Sequence, residues 1–202
     1  MGTIELFGGT ATAFANVVAE IRTDQWDGPG LGEWSVRSLV GHTSRAVRTV
    51  IDYLALDEPE SVTITTAEEY YRQVSRNAAA SAAIAQRGVE SGIALGDDPA
   101  RAISLMIKRA LVKLGEQRYD RRITVRGGSM PLQEYLHTRL FELVVHTMDI
   151  GRATGIRPAF PDGAAEETTR LAAGIAADQG RAEDVLLALT GRSSLPRGFT
   201  IV

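Results

Sequence analysis

Residues 136–155 read LHTRLFELVVHTMDIGRATG, and the fold turns on how that stretch is read. Leu140, Phe141, Leu143, Val144, Val145, Met148 and Ile150 recur at helical spacing and leave little of such a helix facing water. Glu142 and His146 stand four residues apart inside it, so a carboxylate and an imidazole lie one above the other on one face. A carboxylate among such neighbours must be paired, protonated or bound to a metal. Pro131 is placed to start this central helix and Gly155 to close it.

Working outward, the preceding residues 121–126 look extended, and Gly127-Gly128 makes a turn. Before them, Asp98-Pro99 opens a helix with an aspartate N-cap and proline in the first turn, and Ile103, Ile107, Ala110, Leu111 and Leu114 form its buried stripe. A third helix starts at Thr66, where Thr66 and Glu69 read as a capping box, and carries Tyr70, Val74, Ile84 and Val89. Its alanine and serine suit close packing, in a homodimer or within one chain, and Gly92 and Gly96 are expected to end it. Ser35 caps a second helix running to about residue 56, with Leu39, Val40, Val47, Val50, Ile51 and Leu54 inward. His42 points along that stripe. The first helix spans residues 4–21, with Phe7, Ala11, Phe14 and Val18 on one face.

Beyond Gly155, Pro158 and Pro161 form a stiff break before a helix over 164–178, a shorter one over 183–190 and a tail with room for a brief strand. Long helices with little strand signal predict an all-α bundle whose core is the first, second, fourth and central helices. The expected organisation is a helical bundle over 1–155 and a short C-terminal helical extension, 156–202, packed on it.

The 202 residues suffice for one sizeable core, and 44% hydrophobic with 23% charged residues is ordinary for a globular chain. A net charge of -3 gives no basic face for nucleic acid. No apolar run approaches the roughly 18 residues of a membrane span, and the N-terminus does not read as a signal peptide, so the cytoplasm is the expected location. With no cysteine, any nucleophilic thiol must come from a small molecule or a partner.

Of three histidines, His42 and His146 fall on inward faces that a bundle can bring together, with Glu142 one turn from His146. Two imidazoles and a carboxylate suit zinc or a similar divalent ion and leave a coordination position open. The plainer reading is a hydrogen-bonded core histidine and a chance Glu-x-x-x-His, with Arg139 neutralising Glu142. Asp149, near the turn after His146, is either an acceptor for the imidazole proton or a solvated charge. His137 lies well around the helix from Glu142, and Trp34 and Tyr135 read as packing residues.

The combination EWSVRSLVGH, ending at His42, and TRLFELVVHTMD, carrying Glu142, His146 and Asp149, resembles the mycothiol-dependent maleylpyruvate isomerase N-terminal domain family. That family belongs to the DinB-like four-helix-bundle metalloenzymes, which also include bacillithiol S-transferases, and the resemblance covers roughly residues 1–155. VLLALTG, 185–191, looks like the ending of other relatives. The resemblance implies a DinB-like four-helix bundle, a metal held by His42, Glu142 and His146, and mycothiol as thiol cosubstrate bound and activated as thiolate. The characterised isomerase carries a second α/β domain, whereas about 45 residues follow Pro158 here. The implied activity is therefore an S-transferase or maleylpyruvate-isomerase-like reaction on a small electrophile. The alternative is a non-catalytic bundle binding a metal or small ligand.

Overall fold

A computed structural model describes residues 2–73 and 78–201, with side chains omitted at 78–81. Eight α-helices and one hairpin follow one another: α1 Thr3–Glu20, α2 Val36–Leu54, α3 Ala67–Gln73, α4 Ala78–Ala94, α5 Pro99–Gly115, β1 Arg122–Val125, β2 Gly128–Pro131, α6 Leu132–Thr154, α7 Ala164–Asp178 and α8 Ala182–Leu189. The fold is the expected all-α bundle. In it, α1, α6, α2 and α5 close a ring in which each packs on the next, and α4 lies along the outside of α2.

Local chemistry accounts for the boundaries. The Ser35 hydroxyl accepts the Ser38 N–H at 3.2 Å, and Asp98 accepts the Arg101 N–H at 3.0 Å, satisfying donors that a helix start leaves free. Gly155 adopts φ +77° and stops α6. The stripe predicted for α1 is real: Phe7, Ala11 and Phe14 are completely buried. Each phenylalanine contributes about 1.5–3 kcal/mol by leaving water. The same core holds Leu39 and Val47 of α2, Leu114 of α5 and Leu136 of α6, also fully buried.

The hairpin pairs Ile123 with Met130 in antiparallel register and feeds directly into α6, whose Leu132 N–H donates to the Arg121 carbonyl at 2.8 Å. Ile123 and Met130 are wholly buried, so the hairpin plugs one end of the core.

Several expectations need correcting. Gly92 does not end the third helical segment; it lies inside α4, and only Gly96, at φ +69°, follows its end. A Cβ on Gly41 would sit 2.1 Å from the Gly92 nitrogen, and one on Gly92 would sit 2.6 Å from the Arg37 carbonyl. The glycines are there because α2 and α4 touch backbone to backbone. The capping box is shifted: the Thr66 hydroxyl accepts the Glu69 N–H, but the Glu69 carboxylate reaches back to the Thr65 N–H at 2.7 Å. Val74, expected on the same helix, lies outside the described residues. Val89 and Met148 are not core residues but are 38% and 39% exposed. The tail forms no strand over 195–201; it folds back on the end of α7, where Gln179 donates to the Ile201 carbonyl and Arg181 lies 3.9 Å from the centre of the Phe199 ring. α7 packs on α6 and α3, and α8 on α7. Among the described residues no helix is long and apolar enough to cross a membrane.

Candidate metal centre

His42 projects from the second turn of α2, while Glu142 and His146 project from successive turns of α6. Because α2 and α6 are neighbours in the ring, the three side chains meet. Glu142 Oε2 lies 3.3 Å from His146 Nε2 and 3.9 Å from His42 Nε2. One ligand atom from each of the three falls within 4.8 Å of the others, a possible metal site. Donors bonded to a tetrahedral zinc at 2.0–2.1 Å stand roughly 3.3 Å apart, so the two measured edges are close to what such an ion requires. Two imidazole nitrogens and a carboxylate oxygen converging this tightly need a cation among them, a proton or a metal ion. The donor set therefore fits a zinc-class ion.

Each ligand candidate is held from behind. Tyr71, on α3, donates its hydroxyl to Glu142 Oε1 at 2.8 Å, which leaves Oε2 for the histidines. Asp149 Oδ2 lies 3.2 Å from His146 Nδ1, as the helical spacing allowed. With that nitrogen donating to Asp149, Nε2 is the His146 atom turned to the centre, where a metal ion would take the place of its proton. His42 is held differently. Its Nδ1 is buried without a hydrogen-bond partner among the described residues, and its ring leans on Trp34 at 4.6 Å between centroids and meets the His146 ring edge-on at 4.8 Å. Trp34 in turn donates its indole N–H to the Ala85 carbonyl of α4. It is thus a wall of the site rather than mere packing.

The electrostatics follow from this geometry. Burial works against a charged Glu142, but the bonds to His146 and His42 and the nearby charge of Arg139 outweigh it and hold the carboxyl well below its ordinary range. Burial likewise opposes a charged His146, yet Asp149 and Glu142 push its pKa up to about 9. His42, lacking a second acceptor, is lowered by burial despite Glu142. Tyr71 is pushed well up by burial and the adjacent Glu142 charge, so it stays a hydrogen-bond donor.

Arg139 does not neutralise Glu142 by direct pairing. Its guanidinium stacks 4.8 Å from the centre of the Tyr135 ring, and its Nε donates to the Thr138 hydroxyl. The three candidates, with Tyr71, Trp34 and Asp149, line a cavity of about 970 Å³ that also takes in Arg45, Arg87 and Arg126. His137 is not part of that lining. The sequence reading did not pick out Tyr71 or these arginines. Arg45 carried a usable signal, being three residues after His42 on one helix face; Tyr71 carried none, since only tertiary packing brings α3 to α6.

Searches of curated proteins and of solved structures return no significant match. Residues 7–151 match the family described as mycothiol maleylpyruvate isomerase N-terminal domain. That span takes in most of α1, all of α2, α5 and the hairpin, and α6 past Glu142 and His146, so that all three candidate ligands lie within it, and the chain belongs to this family.

Proposed function

We propose that the chain is a divalent-metal-dependent enzyme that uses the low-molecular-weight thiol mycothiol in an S-transferase or maleylpyruvate-isomerase-like reaction on a small electrophile in the cytoplasm. In this reading residues 1–155 are the metal-binding bundle and 156–202 an extension packed on it. The observation that carries the proposal is the convergence of His42, Glu142 and His146 at the wall of a cavity large enough for two small molecules.

His42, Glu142 and His146 would hold the ion, for which zinc is the best chemical match. Bound there, zinc would lower the pKa of a thiol and keep it as the nucleophilic thiolate. The chain's own groups do the rest. Tyr71 donates to Glu142 Oε1, so Oε2 is the carboxylate oxygen that would face the ion. Asp149 fixes the His146 ring. Trp34, Tyr71 and Phe141 line the cavity beside the ligand candidates and would give the nucleophile an apolar flank. No protein cysteine competes for the ion or the electrophile, because the chain has none.

The test is elemental analysis of protein purified without chelator or nickel resin, beside a His42→Ala variant, followed by cobalt substitution. About one zinc-class ion per chain, lost in the variant, is expected. The cobalt-loaded protein should gain a thiolate-to-cobalt absorption band on adding mycothiol. No metal uptake even with added zinc would overturn the reading. Metal without any thiol response would leave a non-catalytic metal-binding bundle.

A further inference from the structure

We propose that Arg45 and Arg87 form an anion subsite in the cavity beside the metal centre, and that it takes a carboxylate group of the electrophile. The inference deepens the reading above and rests on it for the word electrophile, but the subsite itself stands on separate residues.

The first support is how the two side chains are brought together. Arg45 lies on α2 three residues after His42, on the face that looks into the cavity. Arg87 lies on α4 next to Gly88, and α4 is drawn onto α2 at the seam where Gly41 meets Gly88 and Gly92. Backbone contact at that seam leaves two guanidinium groups lining one cavity wall. Burial, and then the positive charges of Arg87 and Arg48, hold the Arg45 guanidinium below its ordinary range.

The second support is that nothing among the described residues neutralises them. Arg48, one turn further along α2, pairs with Asp52 at 3.5 Å. Among the described residues neither Arg45 nor Arg87 has a carboxylate within 4.0 Å, nor do Arg126 and Arg139, the other two arginines of the cavity. The acids in the lining are already committed, Glu142 to the histidines and Tyr71, and Asp149 to His146. A partly enclosed surface with several unpaired cations concentrates anions, and a guanidinium fork matches a carboxylate with two parallel hydrogen bonds. The metal ion would add further positive charge. A neutral or cationic electrophile would leave those charges uncompensated, whereas a carboxylate-bearing one satisfies them with its reactive carbon held near the open coordination position.

The experiment is calorimetric titration of succinate, its monomethyl and dimethyl esters, and inorganic phosphate into the full chain at low salt. It compares the wild type with Arg45→Gln, Arg87→Gln and Arg45→Lys, each zinc-loaded and chelator-stripped. The expected result is that succinate binds, the dimethyl ester does not, and each glutamine variant binds about 10- to 100-fold more weakly with zinc content unchanged. Arg45→Lys should recover part of the loss, which a merely structural role for Arg45 would not show. Phosphate binding as tightly as succinate would overturn the assignment to a carboxylate. Equal affinity in the wild type and the glutamine variants, or no succinate binding by the wild type, would overturn the subsite. Because succinate binding is also read on stripped protein and zinc content is read by itself, a failed metal centre and a failed anion subsite give different results.

Discussion

Glu58 and Glu142 are both carboxylates set among cationic side chains, and they end in opposite electrostatic situations. Glu58, in the connection between α2 and α3, is gripped by Arg118, Arg121 and Arg122, each with a side-chain nitrogen 3.2 Å from it, and by the Arg122 backbone N–H at 3.1 Å. Its charge is spent on fastening that connection to the hairpin. Glu142 has arginines nearby but none in contact; its partners are two imidazoles and a tyrosine, and among the described residues the arginines around the cavity have no carboxylate within 4.0 Å. A closed network of charges is a structural joint. A network whose cations lack partners among the described residues, and in which ligand-capable atoms converge, has room for a partner from outside, and the proposed site rests on that difference.

The largest expected effect comes from the seam that builds the open network. In Gly41→Val the new side chain has no room against the Gly92 backbone, and relieving the clash means moving α4 off α2. Overpacking of this kind costs about 3 kcal/mol, a fall in Tm of about 6–12 °C for a chain of this size. Thermal unfolding followed by circular dichroism measures it, and an unchanged Tm would mean that the helices do not meet as described. The same variant should separate Arg87 from Arg45 and lose succinate binding, while the Glu58 joint, at the far end of α2, is left alone.

A smaller effect is expected at Tyr71. Tyr71→Phe removes the donor that holds Glu142 Oε1 without removing any ligand candidate. Outer partners of this kind are worth about 10- to 100-fold in metal affinity. Competition against a chromophoric chelator should show zinc binding weakened by that factor, and unaltered affinity would reduce Tyr71 to a packing residue.

Much of this comparison was legible in the chain itself. Apolar periodicity placed the four bundle helices because each has one face in a single core, and the spacing of Glu142 and His146 put them together without any tertiary information. His42 joined them because its face could be read from Leu39 and Ala46, three residues before it and four after. What was not legible depends on contacts between distant segments. Gly92 looked like a stop because glycine usually punctuates helices; its real role, letting two backbones touch, needs Gly41 as a partner fifty-one positions away. Tyr71 and Tyr70 are indistinguishable by composition, and only the rotation of α3 against α6 decides which one reaches Glu142. The course of the tail has the same origin, since its carbonyls at Thr200 and Ile201 accept from Arg181 and Gln179.

The smallest effect sharpens the comparison from the Glu58 side. The Arg122 backbone N–H, aided by the Arg122 and Arg118 side chains, lowers the Glu58 pKa from 4.5 to about 2. A group whose folded pKa is depressed adds stability that is fully present above its unfolded pKa and is lost as pH falls through the folded value. The wild type should therefore be more stable than Glu58→Gln at neutral pH, and the gap should close as pH falls from 4.5 to about 2. Denaturant unfolding of both proteins at pH 7, 4 and 2.5 measures the gap. Since the joint is solvent-accessible, the neutral-pH difference should be modest and should shrink further in high salt. Zinc content and succinate affinity should be the same in both proteins, because a carboxylate whose cations are all spent within the joint has no charge left to influence the cavity. A Glu58→Gln variant that altered either would show that the two networks are one.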